Sequence, residues 1–210
     1  MNRRTLSVFV VLAMLLGMVM ATNAQDDADI IQYPITADPE HLNPFISDTI
    51  TIGTVTRNVF ESLTRYNAAT GDIEPAIAES WEVTTNEDGQ QVFTFTIREG
   101  VLFHDIEQVD LEDRTVDAND ILWNYLVALH PDGDISIQSG GASLQSILGA
   151  EEYTAELQAL IDDGAEEVPL VLEDADVPGL QVLDDMTFQI TLEAPNRLFL
   201  INGMLSITSP

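Results

Sequence analysis

The chain has 210 residues, enough for one large domain or parts of two. Its formal net charge is −29 at pH 7, and all seven basic residues are arginine. Such a surface repels nucleic acid phosphates and anionic lipid headgroups, so neither is an expected partner. The sequence contains no cysteine, which excludes disulfides, thiolate metal sites and cysteine nucleophiles. We interpret the acidity itself as a solvated surface suited to an exposed environment.

Residues 1–24 have the layout of a secretory signal peptide. Two arginines at positions 3 and 4 precede an apolar run at 6–20, and small residues suited to cleavage follow at 21–24. The run is shorter than the roughly 20 residues that a membrane-spanning helix needs. An uncleaved signal anchor is the alternative. The signal peptide predicts a periplasmic or extracellular protein. Because no cysteine is available for a lipid anchor, we expect this protein not to be lipidated.

Short strands, loops and helices follow the leader. The stretch IIQYPI at 30–35 predicts a strand, and DPEHLNPF at 38–45 predicts a loop because it carries two prolines and an asparagine. Asp48 is placed to cap a following helix. That helix is expected to end near Tyr66, with one apolar face formed by Ile52, Val55, Val59, Phe60 and Leu63.

Two hairpins are predicted. WEVTT at 81–85 and QVFTFTI at 91–97 flank an Asp88-Gly89 pair, and GLQVL and MTFQITL at 179–192 flank two aspartates. Alternation in the first hairpin predicts that Phe93, Phe95 and Ile97 face inward. A short helix is expected to begin within 194–205.

Two longer helices are predicted between the hairpins. Asp117 fits the N-cap of the first helix and Asp120 the capping-box position three residues later. A loop at 130–143 separates this helix from a second one over 150–163. The acidic segment 164–178 has the composition of the least ordered part. Strands and helices without regular βαβ spacing predict a mixed α/β fold.

The sequence has no nucleophile elbow, phosphate-binding loop or dinucleotide fingerprint. His104 lies near Asp105, Glu107 and Asp110, which could hold a metal ion, but an extended backbone turns adjacent side chains to opposite sides. A hydrogen-bonded turn is therefore the preferred interpretation, with no metal and no cofactor. The acidic pair in 132–134 lacks the register of a calcium loop. Trp81 and Trp123 fit core packing better than ligand stacking.

Seven motifs in order make the sequence resemble the extracellular solute-binding proteins of family 5, the peptide and nickel type receptors of ABC importers. The motifs are DPEHLNPF, NVFESLTRYN, IEPAIAESWEV, FTFTIREGVLFHD, TVDANDILWNYLVAL, ILGAEEY and VLDDMTFQITLEAPNRLFL. The resemblance runs from about residue 30 to residue 210. This sequence departs from the family where FHD is followed by IEQVDLEDR instead of a glycine and a helix start.

The resemblance implies a bilobed, periplasmic binding protein-like fold in a receptor that is not an enzyme. It places the N-terminal strand of a main lobe at 25–45, an inserted α/β domain at 46–183 and a return segment at 184–210. Much of the ligand pocket is then expected beyond Pro210, so the chain is interpreted as an N-terminal fragment. The implied partners are a peptide or other small solute and an ABC permease, and a monomer is expected.

The loop after the LNP motif reaches the ligand in peptide-binding members of this family. It corresponds here to Ser47, Asp48, Thr49 and Ile50, although Asp48 could equally be a helix cap. The ligand itself stays open between an oligopeptide, a nickel chelate and an oligosaccharide. Two alternatives from other classes are a secreted acidic hydrolase and a ligand-sensing module that feeds a membrane sensor.

Overall fold

A computed structural model of the protein describes residues 34–35, 37–39, 41–46, 50–105, 114–133, 142–165 and 167–202. Pro34 and Ile35 belong to a first compact unit, Met1–Thr36, and the other described residues belong to a second, Ala37–Pro210. The predicted signal peptide and most of the predicted strand at 30–35 lie outside the described residues. Within the described ranges, no helix is long and apolar enough to cross a membrane.

The described residues of the second unit form helices and two antiparallel sheets, and this mixture of helices and strands was predicted. The helices are α1 (Ile50–Thr56), α2 (Ala118–Ala128), α3 (Ala142–Gln145), α4 (Ala150–Asp162) and α5 (Phe199–Asn202). The strands are β1 (Thr64–Tyr66), β2 (Ile73–Pro75), β3 (Ala78–Thr85), β4 (Gln91–Ile97), β5 (Leu180–Asp184) and β6 (Thr187–Leu192).

The prediction that the first helix continues to Tyr66 is wrong, because α1 ends at Thr56 and Thr64–Tyr66 forms β1. β1 pairs with β2 across a turn in which the Asn67 side-chain oxygen accepts from the backbone N–H of Ala69 at 2.9 Å. Gly71 closes this turn with a φ of 81°, a conformation that favours glycine. The apolar spacing suggested one helical face, but the buried Leu63 directly precedes β1 and lies outside any helix.

Both predicted hairpins are confirmed, and they join into one sheet of order β3-β4-β6-β5. β4 pairs antiparallel with β6, so that Phe95 lies opposite Phe188 and Phe93 opposite Ile190. Directly opposed residues share a face of the sheet, which places these apolar side chains together. Phe93, Phe95 and Ile97 are all buried, as alternation predicted.

α2 covers the apolar face of the sheet. The Asp117 carboxylate accepts from the backbone N–H groups of Asn119 and Asp120, and Asp120 Oδ2 accepts from the Asp117 N–H at 2.9 Å. This confirms the predicted capping box. The ring of Tyr125, on the helix's buried face, stacks 5.8 Å from Phe188 between centroids. Packing against the sheet therefore fixes the helix in addition to its own cap.

The described residues of the acidic segment 164–178 form no helix or strand, but several of their apolar side chains are buried or half-buried. Val168, Val171, Leu172 and Ala175 pack against the core, and Val177 is buried. The segment leads directly into β5, and β5 contains the predicted boundary between residues 183 and 184. β5 and β6, which lie at and after this boundary, belong to the same sheet as β3 and β4. The division of the chain into lobes stays a prediction.

Candidate functional site

The predicted ligand-contact loop is Ser47 to Ile50. Ser47, Asp48 and Thr49 lie outside the described residues, so the structure tests neither their ligand role nor the predicted cap at Asp48. Ile50 begins α1, and its side chain is likewise outside the description. The segments on either side of the loop are described, and they determine how its two ends are held.

The segment before the loop is fixed by one turn and one aromatic contact. The side-chain oxygen of Asn43 accepts from the backbone N–H of Phe45 at 2.9 Å, which closes a turn over Pro44. The Phe45 ring packs against the core and meets the Trp123 indole edge-on, with centroids 6.2 Å apart and planes at 76°. α2 therefore anchors this end of the loop.

The segment after the loop is α1. Its inner side is buried through Ile52 and Thr56, each 4% exposed. At its far end, Arg57 Nε donates to the Gly53 carbonyl at 2.8 Å and Asn58 Nδ2 to the Thr54 carbonyl at 2.7 Å. Both bonds lie in the last turn of α1, where side chains commonly provide partners for backbone carbonyls, and the Gly53 carbonyl also accepts from the Arg57 N–H at 3.3 Å.

His41 is a polar residue of this region that the sequence did not single out. It is half-buried in the segment before the loop, and its Nδ1 is buried without a hydrogen-bond partner among the described residues. A buried nitrogen of this kind is normally satisfied by a protein group, a water molecule or a ligand. The sequence signal that could have identified His41 was its position in the motif DPEHLNPF, just before the predicted ligand loop.

The His104 segment forms the neck of a loop. Leu102 bridges to Thr115, and the Phe103 N–H donates to the Arg114 carbonyl at 2.8 Å. Arg114 donates from Nε to the Phe103 carbonyl at 3.0 Å and pairs with the exposed Asp105 at 3.6 Å. This geometry agrees with the interpretation of the segment as a hydrogen-bonded turn. Arg114 was not predicted to have this role.

Metal ligation finds no support in the described ranges, where no group of three histidine, aspartate or glutamate side chains could hold an ion. Glu107, Asp110 and Asp134 lie outside those ranges, and His104 is exposed. Of the four candidate ligands around His104, the structure describes only His104 and Asp105, so it does not test a metal site there.

The two tryptophans pack against other apolar side chains. Trp81 lies on β3 opposite Phe95 and packs against the core, and Trp123 contacts Phe45. Both are half-buried. These contacts favour the core interpretation over ligand stacking for Trp81, and they assign Trp123 a place next to the loop.

Comparison with known proteins adds to this geometry. The sequence model of a family described as "Bacterial extracellular solute-binding proteins, family 5 Middle" matches residues 72–209. The chain is 29% identical over 116 residues to di/tripeptide-binding protein 4 of Pseudomonas aeruginosa, covering 55% of this chain and 19% of that protein. It is 37% identical over 79 residues to the oligopeptide-binding protein OppA of Bacillus subtilis, covering 38% and 14%.

Solved structures show the same fold. The periplasmic binding protein DppA of Helicobacter pylori, in complex with the peptide STSA, superposes with a TM-score of 0.57 at 23% identity, over 82% of this chain and 29% of that one. OppA of Burkholderia pseudomallei gives a TM-score of 0.57 at 19% identity, over 83% and 29%. The chain thus spans about a fifth or less of these two curated relatives and under a third of the solved structures. The fold is that of part of a bilobed periplasmic binding protein.

Proposed function

The chain belongs to the bacterial extracellular solute-binding proteins of family 5, and on this premise we propose that it is part of a substrate-binding component of an ABC importer. The observation that carries the proposal is the family match over residues 72–209, which contains both hairpins, α2 and α4. Such a component captures a solute outside the cytoplasmic membrane and delivers it to the permease. This role requires binding and release and no chemical step.

The proposed ligand is an oligopeptide or a related solute. Two relatives are named for binding di/tripeptides and oligopeptides, and one solved relative holds a peptide. A third relative, from Haemophilus influenzae, is named heme-binding protein A. Because that name shows a ligand other than a peptide, the two further ligand classes, a nickel chelate and an oligosaccharide, are kept as alternatives. A peptide would be held chiefly by hydrogen bonds to its backbone, since that is the part common to all peptides.

The proposed contact is the loop Ser47 to Ile50. Support comes from its two flanks: Phe45 is held by Trp123 on one side, and α1 is anchored by Ile52 on the other. Because both flanks are packed, the ends of the loop are positioned before a ligand binds, which favours affinity. In this proposal Asp48 contributes a carboxylate to the loop.

The proposed organisation has a main-lobe strand at 25–45, an inserted domain at 46–183 and a return segment at 184–210. A second lobe would complete the pocket, and it would lie in sequence that corresponds to the larger part of the relatives. Ligand binding would close the lobes and exclude water. Export would depend on a signal peptide at 1–24. The protein would carry no lipid anchor, since such an anchor needs a cysteine, and it would act as a monomer.

The test is calorimetry on the complete protein with pools of di-, tri- and oligopeptides. We expect saturable binding, and the double variant Ser47→Ala/Asp48→Asn should weaken it by about tenfold, equal to about 1.4 kcal/mol. The variant Asp88→Asn, in the exposed turn of the first hairpin, is the matched control and should bind as the native protein does.

Two results would overturn parts of the proposal. Absence of binding to every peptide, chelate and sugar pool, together with turnover of an ester or glycoside, would favour the secreted hydrolase instead. Binding that is unchanged in the Ser47→Ala/Asp48→Asn variant would remove the loop from the site and leave the receptor function in place.

A further inference from the structure

α5 is a short helix that is held between the two sheets. Just before it, the Asn196 N–H donates to Gln91 Oε1 of β4 at 2.8 Å, and the Asn196 side-chain oxygen accepts from the Leu198 N–H at 3.0 Å. Within the helix, the Leu200 carbonyl accepts from Thr64 Oγ1 of β1 at 3.3 Å. A helix of four residues has little stability of its own, so these contacts determine which of its sides faces the core.

The inner side of α5 packs on the core through Phe199, which is fully buried. The Phe199 ring lies 5.1 Å from the Phe93 ring of β4 between centroids. Val83 of β3 is directly opposite Phe93 and therefore on the same face of the sheet. The helix thus covers Phe93, and the neighbouring Val83 is left partly exposed.

The outer side of α5 is apolar as well. The Ile201 N–H donates to the Leu198 carbonyl at 3.0 Å, and residues three apart in a helical turn share a face. Tyr66 is two residues after Thr64 on β1, so its side chain is on the side of the strand that bonds to α5. Leu198, Ile201, Tyr66 and Val83, here called the α5 patch, are each between 43% and 56% exposed.

The composition around the α5 patch is that of an interface. Of the seven arginines, two lie at positions 3 and 4, and two others, Arg65 and Arg197, directly precede Tyr66 and Leu198. Single exposed apolar side chains are ordinary, but several of them around one helix indicate a surface that a partner covers. Aromatic residues and arginine are enriched in such interfaces, and acidic residues are depleted. The patch has this composition in a chain with 36 acidic residues.

The complete protein offers a partner for this surface. The chain spans about a fifth or less of the two curated relatives and under a third of the solved structures, so most of a family member of this kind is further sequence. α5 is the last element of the described chain, and elements that follow one another are usually neighbours in space. A second copy is disfavoured, because two chains that each carry a net charge of −29 repel one another.

We propose that the α5 patch is an internal interface of the complete receptor, on which the sequence that follows residue 210 packs an apolar surface. The covering surface is apolar because the tyrosine hydroxyl is the one hydrogen-bonding group among the four side chains of the patch. The inference rests on the proposed function only in that the chain is part of a larger receptor. It does not depend on which ligand that receptor binds.

Hydroxyl-radical footprinting of the complete protein without ligand tests the proposal. The oxidation rate of each side chain is measured by mass spectrometry in the native and in the urea-unfolded protein, and the ratio of the two rates gives its protection. Leu170 and Leu183 are the matched controls, because they are 49% and 51% exposed and lie outside the patch. We expect the protection of Leu198 and Ile201 to be several times that of the control leucines.

Two footprinting results would overturn the proposal. One is protection of Leu198 and Ile201 that does not exceed that of the controls. The other is protection that falls on dilution while light scattering shows a dimer becoming a monomer, since a second copy would then cover the patch. Calorimetry with the peptide pools on the same preparation keeps the proposed function separate. Protection without peptide binding supports the interface and counts against the ligand, whereas binding without protection refutes the interface alone.

The double variant Leu198→Ser/Ile201→Ser gives an independent measurement. In the complete protein it should lower the midpoint of thermal unfolding by more than the control Leu170→Ser/Leu183→Ser does, because it would place two hydroxyls in a buried apolar interface. An equal or smaller shift than that of the control contradicts the proposal. If circular dichroism shows that the patch variant does not fold, footprinting of the native protein decides the outcome.

Discussion

The Trp123 indole meets the Phe45 ring edge-on, with centroids 6.2 Å apart and planes at 76°. This contact joins the middle of α2 to the segment just before the predicted ligand loop. An aromatic pair of this geometry contributes about 0.5–1.5 kcal/mol beyond the apolar area it buries. Trp123 is therefore expected to fix the position of a segment that has little secondary structure of its own.

Replacing Trp123 by alanine tests this. We expect a loss of about 2 kcal/mol in the free energy of unfolding for a half-buried ring, and faster hydrogen exchange over residues 41–46. Trp123→Phe should recover most of both effects. Trp81→Ala is the matched control, because Trp81 is also half-buried but lies on β3. It should lower stability without selectively speeding exchange at 41–46. Equal exchange in both alanine variants would refute the anchoring role.

The capping box of α2 gives a second prediction. Asp117→Ala removes an acceptor for two backbone N–H groups and should lower the free energy of unfolding by about 1 kcal/mol. Asp163→Asn, at the C-cap of α4, removes a negative charge from the negative end of a helix and should raise stability by about 0.3 kcal/mol. Urea unfolding measures both values. Effects of the same sign at the two positions would contradict this account.

Two glycines with similar positive φ values allow the cost of a left-handed backbone to be measured separately from the cost of a steric clash. Gly149 has a φ of 82°, and a Cβ there would lie 2.5 Å from Pro178 Cδ, whereas Gly89 has a φ of 80° with nothing within 4 Å. Gly89→Ala should therefore cost about 1 kcal/mol from the left-handed conformation alone. Gly149→Ala should cost about 1–3 kcal/mol more, because the added methyl overpacks the contact with Pro178. Thermal or urea unfolding of the pair gives the difference. Similar losses would mean that Pro178 moves aside freely.

Glu74 gives a prediction about pH. The pKa of Glu74 is lowered by a hydrogen bond from Asn67 and further by Arg65, whose Nε lies 3.0 Å from the carboxylate. A lowered folded-state pKa contributes stability that is present above the unfolded value of about 4.5 and is lost as the pH falls through the folded value. Carboxyl NMR should find the Glu74 midpoint below 4.5, and Arg65→Gln should move it upward. An unchanged midpoint would exclude the arginine as a cause.

Local sequence signals predicted much of the secondary structure. The Asp88-Gly89 pair marked the first hairpin correctly, and Gly89 adopts the positive φ that such turns require. Asp117 and Asp120 marked the start of α2, because a capping box is a contact between residues three apart. The helix predicted to end near Tyr66 was wrong because the prediction relied on apolar spacing alone. Asn67 and Gly71 are turn-forming residues, and they do form the turn after β1.

The sequence predicted less about the candidate site, because its contacts join residues that are far apart in the chain. Trp123 is 78 positions from Phe45, and no local pattern states that an α2 side chain holds the segment before the loop. The same is true of the acidic segment 164–178, whose composition indicated the least ordered part of the chain although its valines pack against the core. The closure of the His104 turn by Arg114 also depends on a pairing across eleven residues.

The sequence alone determined which segments are strands and helices in most of the described chain, because hairpin turns and caps are contacts between near neighbours. The order of the sequence motifs also indicated the family. Tertiary structure alone decided that the two hairpins share one sheet, with Phe95 opposite Phe188, since either hairpin could have packed its apolar face elsewhere. The burial of that shared face against α2 selects one pairing and one register.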